Sequence, residues 1–163
     1  MTEKLNVKSF PAPEALATPT DLSPEAVQKI TEAITSLVAD AFALYVKTKN
    51  FHWHLSGARF RDIHLLLDEQ AEVIFATTDP LAERVRRIGG TTIRSISHVS
   101  ELQTIKDDNE EFVDPDDMIR ILMEDNKHIA VNQRKAHSVC DENGDAATAG
   151  PASTFSPRRT RRC

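Results

Sequence analysis

Cysteine is scarce in this chain of 163 residues, and the two present, Cys140 and Cys163, form neither a disulfide framework nor a zinc-ligand spacing. Glycine is almost as scarce: five residues, all outside the periodic apolar segments, a distribution that favours helices over a sheet-rich fold. No apolar run approaches the roughly 18 residues that a membrane span requires. The opening stretch MTEKLNVKSFPAPEALATPT lacks the apolar core of a signal peptide. These absences predict a reduced, cytoplasmic protein without a membrane partner. Excess positive charge is lacking too. The net charge of −5 argues against a uniformly nucleic-acid-binding surface, so any DNA contact has to come from local basic segments. What is present is ordinary for one globular domain with a real core: 40% hydrophobic and 28% charged residues.

Residues 1–22 are rich in Pro, Thr and Ala without periodicity and read as a flexible arm. Ser23 then has the character of an N-cap, with Pro24 at the first helical position and Glu25 in the first turn. Val27, Ile30, Ile34, Leu37, Ala41, Leu44, Thr48 and Phe51 follow in steps of three and four. That spacing predicts one apolar helix face to about residue 54, closed by Gly57. A second periodic stretch runs from about residue 58 to Ile88, where Pro80 should kink or split it. Residues 91–112 read as a connection with a short helix around Ile93–Leu102. Asp114 and Pro115 repeat the cap-then-proline signal for a third helix to about Cys140, with Met118, Leu122, Ile129, Ala136 and Val139 facing inward. The expected fold is all-α, a helical bundle. A closed bundle of this size usually has four long helices, and DENGDAATAGPASTFSPRRTRRC has no apolar face to supply the fourth. The domain reading is therefore an arm at 1–22, a helical domain at 23–149 and a basic, disordered tail at 150–163.

Five residues could carry chemistry: His52, His64, Asp68, Asp79 and Glu83. His64 and Asp68 are four apart, as are Asp79 and Glu83, so each pair projects from one helix face. On an unbroken helix, at about 100° per residue, all four fall within an arc of about 100°. Imidazole with several carboxylates is a reasonable iron ligand set. Distance forbids a shared ion within one chain. Asp68 and Asp79 lie about 16 Å apart along a helix, and His64 and Glu83 about 28 Å, whereas ligands sit about 2 Å from a metal. An antiparallel pair of copies centred between Val73 and Ile74 removes the conflict, setting Asp68 opposite the partner's Asp79 and His64 opposite the partner's Glu83. Each feature also has an ordinary reading. Charged residues at i and i+4 usually form a solvated face. Asp79 before Pro80 is a capping signal. His52 suits a satisfied interface histidine, and Trp53 a core residue.

The stretch KTKNFHWHLSGARFRDIHLLLDEQ, residues 47–70, followed by TDPLAERVRRIGG, residues 78–90, closely resembles the Dps-like mini-ferritins. The signature H-W-x-x-x-G-x-x-F-x-x-x-H-x-x-x-D is matched by His52, Trp53, Gly57, Phe60, His64 and Asp68, and the D-x-x-x-E that follows by Asp79 and Glu83. Similarity runs from roughly residue 25 to residue 149. The resemblance implies a ferritin-like four-helix subunit of a dodecameric shell. It further implies an iron site between two-fold-related subunits: His52 and His64 from one chain, Asp79 and Glu83 from the other, Asp68 close by. It also implies oxidation of Fe(II), preferentially by hydrogen peroxide, storage of Fe(III) mineral, and non-specific DNA binding through basic tails, with a cytoplasmic, nucleoid-associated location.

One departure stands out. Near Ala149 or Gly150 the family's fourth helix gives way to a basic Pro/Ser/Arg tail, so that helix is missing or replaced. A natural DNA-binding arm or a frameshifted C-terminus would explain the switch, and its abruptness favours the second. Three functions compete: a ferroxidase and iron store; a DNA-condensing protein using Lys4, Lys8, Arg158, Arg159, Arg161 and Arg162; and an assembly-defective homologue with unused ligands.

Overall fold

A computed structural model describes residues 18–145, 147 and 148, and among them every regular element is a helix. Helix α1 spans Pro24–His54, a rod of about 46 Å. The Ser23 hydroxyl accepts from the Ala26 amide at 3.2 Å, which closes its first turn as the cap signal requires. The apolar stripe is buried as the spacing predicts, from Ile30 to Phe51, with Val27 half-buried at its start. Thr48 tolerates that burial because its hydroxyl donates to the Leu44 carbonyl at 2.8 Å.

Helix α2 (Phe60–Phe75) follows a short turn at Gly57, whose φ of 96° suits a residue without a Cβ. Side-chain pairing fixes its direction. His52 meets His64, Lys49 meets Asp68, and Tyr45 meets Phe75, so α1 and α2 run antiparallel. Helix α3 covers Thr78–Arg87. The long stretch expected from residue 58 to 88 is thus two helices, and the break falls at Ala76–Thr77, upstream of Pro80. Proline has no N–H to offer the carbonyl four residues back, so the ladder fails there. The Thr77 amide turns to Ile74 O at 3.1 Å, and the Thr77 and Thr78 hydroxyls donate to the Ile74 and Phe75 carbonyls at 2.6 and 2.8 Å. The arc of about 100° assumed an unbroken helix and does not carry over.

Gly90 ends α3 against α1. A Cβ there would collide with the Thr31 hydroxyl and lie 2.9 Å from Val85 Cγ1. Helix α4 (Ile96–Leu102), capped by Ser95, is shorter than the expected 93–102. Helix α5 (Pro115–Glu142) starts at the Asp114 cap as the sequence signals, and Met118, Leu122, Ile129 and Ala136 are buried, with Val139 half-buried. The pairs Lys47–Asp125 and Asp40–Asn132 set α5 antiparallel to α1. Helix α1 therefore packs against all four others and carries both apolar clusters. One lies around Leu44, Phe51, Leu67 and Leu122; the other lies around Ile30, Ile34, Val85 and Cys140.

Beyond α5, Asp145 accepts from the Thr148 amide at 3.2 Å, and residues 147 and 148 are helical. The expected missing fourth helix, the basic tail at 150–163 and residues 1–17 of the expected arm lie outside the described residues. No helix among the described residues is long and apolar enough to cross a membrane.

Candidate metal centre

His52 ends the buried stripe of α1, while His64 lies one turn into α2. The antiparallel register brings them face to face, with ring centroids 3.7 Å apart and planes inclined by 22°. Each ring is tied to the other helix. His52 Nδ1 lies 3.0 Å from the His64 carbonyl oxygen, and His64 Nδ1 lies 3.2 Å from the His52 carbonyl oxygen. A carbonyl only accepts, so both Nδ1 atoms carry the proton and donate. In a neutral ring this tautomer keeps the lone pair on Nε2, the form in which imidazole ligates a metal. Phe60 also stacks with His64, their ring centroids 4.8 Å apart.

Asp68, one turn after His64, is the carboxylate of this group. Its Oδ1 lies 3.9 Å from His52 Nε2, wider than the roughly 3.3 Å between tetrahedral ligands each about 2 Å from one ion, so a bound ion would have to draw the two together. The donor types, imidazole nitrogen with carboxylate oxygen, fit a hard or borderline cation. The same Oδ1 receives the Lys49 ammonium at 2.7 Å. That hydrogen bond, ahead of every other influence, holds the Asp68 carboxyl below the usual carboxylate range. Lys49 is the residue that sequence reasoning missed. Its signal is a position three residues before His52, on the same face of α1.

Asp79 and Glu83 stand apart from these three, in the first turn and middle of α3. Both are exposed, and Glu83 is held by Arg87 at 2.8 Å, one turn along the same helix. Among the described residues, no three His, Cys, Asp or Glu side chains are grouped to hold a metal ion within one copy. Apolar side chains are exposed on the same helices: Trp53 at 64%, contrary to its expected core position, Leu65 at 51% and Val73 at 57%. Ile74 differs from its expected place at a symmetric contact. It is 6% exposed and packs inside its own bundle.

The comparisons bear on the family and the fold. The ferritin-like domain family matches residues 31–155, past Gly150, where the resemblance of the motifs ends. The DNA protection during starvation protein of Agrobacterium fabrum is 32% identical over 132 residues, covering 81% of this chain and 82% of that protein. DNA protection during starvation protein 1 of Deinococcus radiodurans is 30% identical over 122 residues, 75% of this chain; the alignment spans 59% of that protein's length. Among solved structures, DpsC from Streptomyces coelicolor superimposes with a TM-score of 0.80 at 27% identity, covering 84% of this chain and 80% of its own. The chain belongs to the ferritin-like domain family and, within it, to the Dps-like mini-ferritins.

Proposed function

We propose that this chain is an iron-oxidising, iron-storing subunit that completes its metal centre only against a second copy and protects DNA from oxidative damage. The observation that carries the reading is the pair of stacked imidazoles with both Nδ1 atoms committed to backbone and His52 Nε2 3.9 Å from Asp68 Oδ1. Fe(II) is the substrate. Each of two Fe(II) ions gives one electron to hydrogen peroxide, whose O–O bond breaks to leave two Fe(III) and two hydroxide equivalents. Carboxylates favour this direction because they bind hard Fe(III) more tightly than Fe(II) and so lower its reduction potential. Consuming both electrons at one centre limits hydroxyl-radical release. His52, His64 and Asp68 come from one copy, and Asp79 and Glu83 from its two-fold mate, where Glu83 must leave Arg87 to act as a ligand. Exposed Trp53, Leu65 and Val73 are suited to cover such a contact. The assembly we expect is a cytoplasmic dodecamer storing Fe(III), with DNA held non-specifically by Lys4, Lys8, Arg158, Arg159, Arg161 and Arg162.

Sizing the purified chain after aerobic Fe(II) loading tests assembly and storage together, and a monomer without retained iron would reject both. Mixing tests the shared centre. In a verified mixed dimer, a His64→Ala chain and a Glu83→Ala chain leave one centre doubly damaged and the other intact, so Fe(II) oxidation should partly return. No recovery would sink the two-fold arrangement. Deleting residues 157–163 should weaken DNA retention and flatten its salt dependence. Unchanged retention would remove the tail as the contact.

A further inference from the structure

We propose that Asn143 and Gly144, at the end of α5, form a site of spontaneous modification that reacts when the helix end opens and then keeps it open. Asn143 is the C-cap of α5, and its Nδ2 donates to the Val139 carbonyl at 2.7 Å. Gly144 follows with a φ of 78°, and its amide donates to the Asp141 carbonyl at 3.1 Å. Asparagine before glycine is the pairing most prone to lose its side-chain amide, because no Cβ hinders approach of the glycine nitrogen. The Gly144 nitrogen gives up its proton and bonds to Asn143 Cγ. The Cγ–Nδ2 bond breaks, and ammonia leaves with that proton. Water then splits the cyclic imide at either carbonyl, leaving aspartate or isoaspartate. Gly144 is exposed, so water reaches the peptide.

The ordinary reading is a helix cap and nothing more. Two observations go beyond it. First, the nitrogen that attacks and the nitrogen that leaves are each tied to a carbonyl of α5. The reaction therefore waits on fraying of the last turn, which is among the least costly openings in a fold. Second, the product does not fit the closed state. A carboxylate has no hydrogen to donate to the Val139 carbonyl, and it adds charge at the negative end of the helix dipole. The last turn of α5 carries no basic residue, and Asp141 and Glu142 precede the site. Arg84, reaching over from α3, is already held by Asp145 and Thr148. Once converted, the cap reforms poorly. The loosening passes to Asp145, whose amide donates to the Cys140 carbonyl at 2.9 Å, and to the Thr148 amide that donates to Asp145.

The test follows the full chain in heavy-oxygen water at neutral pH, folded and in guanidinium chloride. The tryptic peptide 136–158 holds Asn143 as its only asparagine, so mass spectrometry reads the site directly. We expect isoaspartate there with one heavy oxygen, forming about tenfold faster unfolded than folded. Asn143→Gln, which sets the amide one methylene further out, should form almost none. Asn143→Asp should speed hydrogen exchange of the Asp145 and Thr148 amides about tenfold. Aged chain separated by its added charge should match that variant, and decides the point alone should the variant not fold. An absence of isoaspartate in the folded chain overturns the proposal. So does a folded rate as fast as the unfolded one, or unchanged exchange after conversion.

Discussion

Asp40 and Asp68 are the same side chain in opposite circumstances. Asp40 is fully buried on α1, and its carboxylate is saturated. Oδ1 accepts from the Thr104 and Ile105 amides at 2.5 and 3.2 Å, and Oδ2 accepts from the Thr104 hydroxyl at 2.8 Å and Asn132 at 3.3 Å. Asp68 is 45% exposed and holds one lysine, with acceptor capacity to spare. The first carboxylate pins the segment after α4 to α1 and α5. The second keeps room for something else. A buried acid with every lone pair used reads as structure, and a half-open acid beside free imidazole nitrogens reads as a site.

Removing the two carboxylates in turn sharpens that contrast. Asp40→Ala strands two amides, a hydroxyl and an amide side chain, and should cost about 3–4 kcal/mol in urea unfolding. A loss under about 1 kcal/mol would show that water replaces the carboxylate readily. The buried thiol of Cys140 gives the next largest effect. Desolvation, followed by the charge of Asp145, raises its pKa from 9.0 to about 11. A group whose folded pKa is raised contributes stability that is fully present below the unfolded value and disappears as pH rises through the folded one. Stability should therefore fall between pH 9 and 11, by at most about 3 kcal/mol. Cys140→Ala should flatten that part of the profile, and an unchanged slope would assign it to other groups. Gly90→Ala, forced against Thr31 and Val85, should cost about 1–3 kcal/mol, read from the thermal midpoint. Asp68→Asn should change stability least, by no more than about 0.5 kcal/mol, while weakening Co(II) binding at least tenfold. A large loss of stability with intact binding would reverse the roles assigned to the two acids.

Much of this was readable in the residues, for identifiable reasons. The stripe from Ile30 to Phe51 repeats at the helical period and is buried at every expected position from Ile30 onward. The caps Ser23 and Asp114 act through local bonds that a sequence shows directly. His52, His64 and Asp68 come together because their spacing on two helices matches the antiparallel register. Three things were less legible. Pro80 breaks the helix where its missing donor is felt, at Ala76–Thr77, rather than where the proline stands. Ile74 and Trp53 exchange expectations, one buried and one exposed, because packing in a single copy decides which side of a helix is covered. Lys49 resembled any solvated lysine until α2 was laid beside it. Asp40, flanked by Ala39 and Ala41 within the apolar stripe, was a visible anomaly whose partners lie 64 to 92 residues away.

The crossed histidine bonds also make α1 and α2 a position gauge. Each ring reads the other helix's backbone at one carbonyl, so sliding α1 along α2 by a single residue, about 1.5 Å, would misalign both bonds together. It would also carry Lys49 away from Asp68. The two imidazoles and the lysine-capped carboxylate are consequently set or lost as one unit. Exchange of the two Nδ1 protons with solvent would report the alignment of the helices directly, before any metal arrives.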